Sequence, residues 1–132
     1  MNDKAPWITF RPELRVLDCT IRDGGLMNNS RFSDEEVRAV YETCVAAGID
    51  YMEIGYKNSA EAFPESAYGP WRRCDEADLR RVVGDHDAGR TGLKLAAMAD
   101  AGGKCDWRKD ILPAAESVLD MIRVACYAHQ IS

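Results

Sequence analysis

The chain has 132 residues, of which 46% are hydrophobic and 30% are charged, and its net charge is -5. This length and apolar content are typical of one soluble globular domain and exclude a disordered segment. The acidic balance argues against a nucleic-acid surface, which needs clustered Lys and Arg. The sequence has no apolar run long enough to span a membrane and no signal-peptide core, so we expect a cytoplasmic protein without nucleic-acid or membrane partners.

The chain alternates predicted strands and helices. The strands are predicted at residues 14–22, 49–56, 93–99 and 119–127, and the helices at 33–48, 75–83 and 110–117. Ser33 and Glu36 form a capping-box pattern at the start of the first helix, and Gly48 is placed to end it. Such β/α alternation is typical of a parallel sheet with right-handed crossovers. The fold class is therefore α/β, with four parallel strands and three helices.

Four βα units amount to the N-terminal half of a (β/α)8 barrel, which usually needs about 250 residues. We expect residues 1–132 to form a single partial-barrel domain, with Trp7, Ile8 and Phe10 closing one end of the core. A half barrel leaves the first and fourth strands with unpaired edges. The chain is therefore expected to be a fragment, a truncated gene product, or a half that pairs with another chain. A free-standing four-stranded α/β sandwich is the alternative.

Five cysteines, at positions 19, 44, 74, 105 and 126, form no C-x-x-C pair. This spacing indicates neither a disulfide framework nor a thiolate zinc site. Cys19, Cys44 and Cys126 lie among apolar residues and are predicted to be small buried side chains.

Two further segments carry polar residues without an evident partner. The connection 57–74 has little periodicity, and a connection of that length is usually functional or mobile. Its run Trp71–Arg73 is predicted to be a solvated patch, and His86 is predicted to be a solvated loop residue.

The most informative stretch runs from Arg15 to Gly25. Its alternate positions carry the polar residues Asp18, Thr20 and Arg22, which would share one face of a strand. Asp23 follows at the predicted carboxyl end of this strand, before the pair Gly24 and Gly25, which permits a tight turn and a close approach to a ligand. Ligands of parallel α/β folds bind at the carboxyl ends of the strands.

The other predicted strand ends add Glu53 with Tyr56, Asp100, and Tyr127 with His129. Two carboxylates and an arginine at one rim suit a divalent cation and an anionic substrate. Asp18 could instead pair with Arg22 or with a neighbouring strand inside the barrel, and Glu53 could face either side of its strand.

Asp18, Thr20, Arg22, Asp23 and Gly24 reproduce a D-x-T-x-R-D-G pattern. This pattern resembles the signature of the metal-dependent aldolase, lyase and synthase barrels known as DRE-TIM metallolyases, which include 4-hydroxy-2-oxovalerate aldolases. The resemblance implies a carbon-carbon lyase acting on a 2-oxo acid or acyl-CoA adduct through a metal-stabilised enolate.

The resemblance also implies roles for individual residues. Asp23 would be a ligand of Mn²⁺ or Mg²⁺, while Arg22 and Glu53 would be catalytic. Asp18, Thr20 and His129 would contact the small-molecule substrate.

The chain departs from the family pattern in one respect that matters for the metal. These barrels complete the metal sphere with a His-x-His pair on a late strand, whereas this chain has two histidines in all and no such pair. We therefore expect residues 1–132 alone to be inactive. The alternative function is a catalytically inactive half barrel that serves as an interaction module, as a homo-oligomer or paired with the missing half.

Overall fold

The computed structural model describes residues 11–131, so the predicted contacts of Trp7, Ile8 and Phe10 lie outside the described residues. The strands are β1 (Leu17–Asp18), β2 (Tyr51–Tyr56), β3 (Lys94–Asp100) and β4 (Met121–Ala125). They form one parallel sheet in the order β1-β2-β3-β4. The predicted α/β class with four parallel strands in sequence order is thereby confirmed.

The helices only partly match the prediction. They are α1 (Thr20–Asn28), α2 (Asp34–Ala47), α3 (Glu76–Val83) and α4 (Ala88–Thr91), with short 3₁₀ helices at Pro70–Arg72 and Ala128–Gln130. The start of α2 follows the capping-box prediction. Ser33 Oγ accepts from the Glu36 amide at 3.2 Å, and the Ser33 amide donates to Glu36 Oε2 at 2.7 Å. Gly48 ends α2 in the left-handed conformation.

The first predicted strand was too long, and the turn expected at Gly24 and Gly25 does not form. Pairing with β2 stops at Asp18, and the chain enters α1 at Thr20. The Asp18 carboxylate accepts from the Thr20 amide at 3.1 Å, which satisfies one of the free donors at the helix start. Gly24 and Gly25 are helical, and their role is close packing: a Cβ on Gly25 would lie 2.8 Å from Ser30 Oγ.

The helix predicted at residues 110–117 does not form. This segment consists of turns, with one hydrogen bond from the Glu116 amide to the Pro113 carbonyl. The carboxylate of Glu76 on α3 binds the Ser117 hydroxyl and the Val118 amide, at 3.0 and 2.7 Å. Pro113 and these side-chain contacts together favour turns over a continuous helix.

The main core lies between one face of the sheet and the helices. Met52, Ile54 and Leu95 project from the strands into this layer, where they join Trp71 and Leu79, and all five are fully buried. In residues 11–131, no helix combines the length and the apolar character that crossing a membrane requires.

The opposite edges of the sheet are open within the described part of the chain, since β1 pairs only with β2 and β4 only with β3. Val16 and Leu17 at one edge, and Val124 at the other, are exposed apolar side chains. Edge strands of this kind can template pairing with another strand.

Candidate functional site

A cluster of three charged side chains lies on the face of the sheet opposite the helices. Glu53 on β2 has 0% of its surface exposed, and its carboxylate accepts from Arg22 Nε at 2.5 Å. Arg123 on β4 donates to the same carboxylate through Nε and Nη2, each at 2.7 Å. Because each carboxylate oxygen has a charged donor, Glu53 is an ionised, fixed counter-ion.

The strands explain how Arg123 reaches Glu53 across an intervening strand. Glu53 is paired with Ala96 of β3, and Met98, two positions further along β3, is paired with Arg123 of β4. The small Ala96 side chain leaves room for the guanidinium to cross, and Arg123 Nη2 also lies 3.0 Å from Met98 Sδ. Alternate residues of a strand share a face, so Ala96 and Met98 both face the cluster.

Contacts within the cluster lower the pKa of Glu53 and raise the pKa of Arg22. Burial alone would raise the pKa of Glu53, but the hydrogen bonds from Arg123 and Arg22 outweigh it and hold the pKa below its ordinary value. Burial would lower the pKa of Arg22, but hydrogen bonding to Glu53 and to Tyr56 raises it. Arg22 therefore stays protonated, with Glu53 as its buried counter-ion.

Asp23 lies beside this cluster but faces outward. Its side chain is 66% exposed, and its carboxylate accepts from Arg22 Nη1 at 2.8 Å. Arg22 thus bridges a buried carboxylate and an exposed one, which fixes its guanidinium at the carboxyl end of β1. Both residues belong to the first turn of α1.

Asp18 and Thr20 bind each other. The Thr20 hydroxyl donates to Asp18 Oδ2 at 2.8 Å. The prediction that Asp18 pairs with Arg22 or with a neighbouring strand was wrong, because Arg22 turns toward Glu53 and Asp23 while the Asp18 carboxylate binds Thr20. Asp18 instead holds the junction between β1 and α1.

The cysteine predictions were partly wrong. Cys44 is buried as predicted, and burial raises the pKa of its thiol to about 11. Cys19 is only half-buried, and its thiol donates to Glu53 Oε1 at 3.8 Å, while Cys126 is exposed. Both residues follow the last residue of a strand, where fewer neighbours cover a side chain than on the buried face of a helix.

Neither histidine is hydrogen-bonded to the cluster. His129 is exposed and stacks on the Tyr127 ring at a centroid distance of 5.6 Å. The prediction for His86 was wrong, since its side chain is fully buried. Its ring lies 2.8 Å from the Tyr41 hydroxyl and 3.1 Å from Asp120 Oδ2, so it joins α2 to the start of β4.

The residues present do not make a complete divalent-metal site. Within residues 11–131, no group of three or more His, Cys, Asp or Glu side chains is placed to hold a metal ion. Glu53 is saturated by two arginines, which leaves Asp23 as the exposed carboxylate of the cluster. One carboxylate falls short of the six or more oxygen ligands that a hard cation prefers.

Sequence reasoning missed Arg123 as a member of the site. Its signal was a single charged residue at an alternate position of an otherwise apolar run, Met121–Ala125. A charged side chain that lies over the sheet must find a partner, and the buried acid that Arg123 contacts is Glu53.

Comparison with known proteins gives two curated relatives. The chain is 31% identical over 113 residues to an oxaloacetate decarboxylase from Mycobacterium tuberculosis, which covers 86% of this chain and 31% of the relative. It is 30% identical over 117 residues to a 4-hydroxy-2-oxovalerate aldolase from Thermus thermophilus, covering 89% of this chain and 31% of the relative. No protein-family model matches the chain.

A crystal structure of the N-terminal domain of a candidate aldolase from Bacteroides vulgatus is also similar, with a TM-score of 0.62 and 28% identity. The match covers 84% of this chain and 35% of that one. These matches confirm the resemblance to the aldolase barrels. This aldolase-like chain spans about a third of the length of the curated relatives that it matches.

Proposed function

We propose that this chain is the N-terminal half barrel of a carbon-carbon lyase that acts on a 2-oxo acid. The observation that carries the proposal is the Arg22 guanidinium, fixed by Glu53 at 2.5 Å and by Asp23 at 2.8 Å at the carboxyl end of β1. A rigid, permanently charged donor at this position suits an oxygen on which negative charge develops.

The names of the two curated relatives point to one shared reaction step. Oxaloacetate and 4-hydroxy-2-oxovalerate are both 2-oxo acids, and decarboxylation or retro-aldol cleavage breaks the bond between C3 and C4 in each. The electron pair of that bond moves to C3 and the carbonyl oxygen, giving the enolate of pyruvate. In the decarboxylation carbon dioxide leaves directly, whereas in the retro-aldol cleavage the C4 hydroxyl gives its proton to water as the aldehyde leaves. C3 of the enolate then takes a proton from water.

Arg22 would neutralise the enolate oxygen in this step. A preorganised donor of this kind contributes about 3 to 4 kcal/mol to transition-state stabilisation. Both carboxylate oxygens of Glu53 are held by arginines, so its proposed role is to position Arg22. Asp23, Asp18, Thr20 and His129 remain proposed contacts for a cation or the substrate, and no step is assigned to a metal.

The complete gene product, supplied with Mn²⁺ or Mg²⁺, is expected to release pyruvate from oxaloacetate or from a 4-hydroxy-2-oxo acid. A lactate dehydrogenase-coupled assay measures this release directly. Absence of pyruvate from both substrates, above the rate without protein, would contradict the proposal.

The exposed edge residues favour a second function, a non-catalytic half barrel that assembles through β1 and β4. Val16, Leu17 and Val124 are the apolar groups that such assembly would cover. Sedimentation of the samples used for the assay separates the two functions. The non-catalytic function predicts a stable oligomer that releases no pyruvate, and charged substitutions at Val16 and Val124 would dissociate it.

A further inference from the structure

A buried arginine without an acidic partner lies near the candidate site. Arg72 is only 8% exposed, and its Nε has no hydrogen-bond acceptor. No carboxylate of the described residues lies within ion-pair distance of it, whereas the adjacent Arg73 pairs with Glu65 and Asp75 at 3.3 and 3.9 Å. The predicted solvated patch at Trp71–Arg73 was therefore wrong, since all three residues are buried.

Aromatic rings surround the Arg72 guanidinium. Its central carbon lies 4.4 Å from the ring centroid of Tyr56, 5.0 Å from that of Phe63 and 5.2 Å from that of Tyr68. Ring faces attract a cation, but they are weaker acceptors of its directed N–H bonds than a carboxylate or phosphate oxygen. The aromatic cage therefore orients the guanidinium and leaves its hydrogen-bonding capacity for an anion.

The cage is connected to the candidate site through Tyr56. This residue ends β2 and is paired with Met98, whose sulfur contacts Arg123 of the Glu53 cluster. The Tyr56 hydroxyl also contributes to the raised pKa of Arg22. Tyr56 thus places the Arg72 guanidinium at the carboxyl end of β2, the strand that carries Glu53.

The segment that carries Arg72 is firmly held. The neighbouring Trp71 is fully buried, and its indole N–H donates to the Phe32 carbonyl at 3.0 Å. Arg72 itself accepts a backbone hydrogen bond from Asn58 at 3.4 Å. Tyr68 also lines an open surface groove with Arg31, Glu65 and Arg73, so one ring of the cage lies at the surface.

We propose that Arg72 is a second anion-binding residue, which binds a carboxylate or phosphate group of the substrate next to the Arg22 site. The planar guanidinium matches both groups through paired N–H donors. The inference rests on the proposed function in one respect, namely that the bound anion is a group of the substrate. A substrate with a second anionic group would then be preferred over one with a single carboxylate.

The proposal is tested by titrating the chain with inorganic phosphate and with malonate. NMR of the arginine Nε–H groups reports the binding. Arg72 Nε–H is expected to shift and saturate at millimolar concentrations of at least one probe. Tighter binding of phosphate indicates a phosphorylated substrate, and tighter binding of malonate indicates a dicarboxylate. Failure of both probes to shift this resonance would overturn the proposal.

Arg72→Met is expected to weaken binding of the preferred anion by about tenfold or more. Arg72→Lys keeps the charge but loses the paired donors, so it should also weaken anion binding. If circular dichroism shows that Arg72→Met is not folded, the anion affinity of Arg72→Lys tests the proposal. Arg108→Met, at an exposed arginine, is the matched control and should bind like the unmodified chain. Unchanged anion affinity in a folded Arg72 variant would contradict the proposal.

Arg22→Lys separates this inference from the proposed function. It should retain anion binding at Arg72 while it impairs lyase activity. Anion binding through Arg72 in a protein without lyase activity would overturn the proposed function alone. Lyase activity together with full anion affinity in Arg72→Met would overturn this inference alone.

Discussion

Arg22→Lys is expected to slow carbon-carbon bond cleavage by the complete gene product by about 100- to 1000-fold. The planar guanidinium of Arg22 binds Glu53 through Nε at 2.5 Å and Asp23 through Nη1 at 2.8 Å. Lysine keeps the positive charge, but its single nitrogen cannot reproduce this planar arrangement. The ammonium would therefore turn toward one carboxylate and lose the position at the enolate oxygen. Steady-state kinetics should show the loss mainly in kcat, because the contact forms in the transition state.

Two further variants are measured beside Arg22→Lys, one as a control and one to test the role of Asp23. Arg108→Lys alters an exposed arginine in the same way and should leave the rate unchanged. Asp23→Ala should abolish both activity and its dependence on added divalent cation, since Asp23 is the exposed carboxylate beside Arg22. Equal turnover in Arg22→Lys, Asp23→Ala and the unmodified protein would rule out the assigned roles.

Glu53→Gln is expected to lower the free energy of unfolding by about 3 kcal/mol, the cost of breaking a buried ion pair. The change removes the negative charge that Arg22 and Arg123 share and leaves two guanidinium groups facing each other. Urea denaturation followed by circular dichroism measures the difference. Glu42→Gln, at an exposed position of α2, is the matched control and should change stability by less than about 0.5 kcal/mol.

This stability difference should depend on pH in a defined direction. The pKa of Glu53 is lowered in the folded chain, so its contribution is fully present above the unfolded value of about 4.3. The contribution is lost as pH falls through the lower, folded pKa. The unmodified chain and Glu53→Gln should therefore converge in stability in strong acid, and a constant gap across pH would contradict the assignment.

The sequence was a good guide to the sheet because its strands are apolar runs separated by well-marked helices and glycines. Ser33, Glu36 and Gly48 are local signals, and the structure follows them. The β1–α1 boundary was missed because Thr20, Ile21 and Arg22 alternate like a strand, while the hydrogen bond from the Thr20 amide to Asp18 and the burial of Ile21 favour a helix. Such contacts depend on the folded neighbourhood.

The candidate site was predictable where a local sequence pattern marks its residues. Arg22 and Asp23 were found from a short pattern, and Glu53 from its position in a strand. Arg123 is 70 positions from Glu53, and only the strand order shows that they meet. Arg72 was missed because its burial results from three aromatic residues brought together by a long irregular connection.

The most direct measurement follows the exchange of pyruvate methyl protons for deuterium by NMR, with the complete gene product and Mn²⁺ or Mg²⁺ in heavy water. Exchange requires the same enolate that bond cleavage would form, and it does not depend on which group leaves C3. We predict exchange well above the rate without protein and about 100-fold slower exchange in Arg22→Lys. No exchange above that rate, or equal exchange in both proteins, would contradict enolate stabilisation by Arg22.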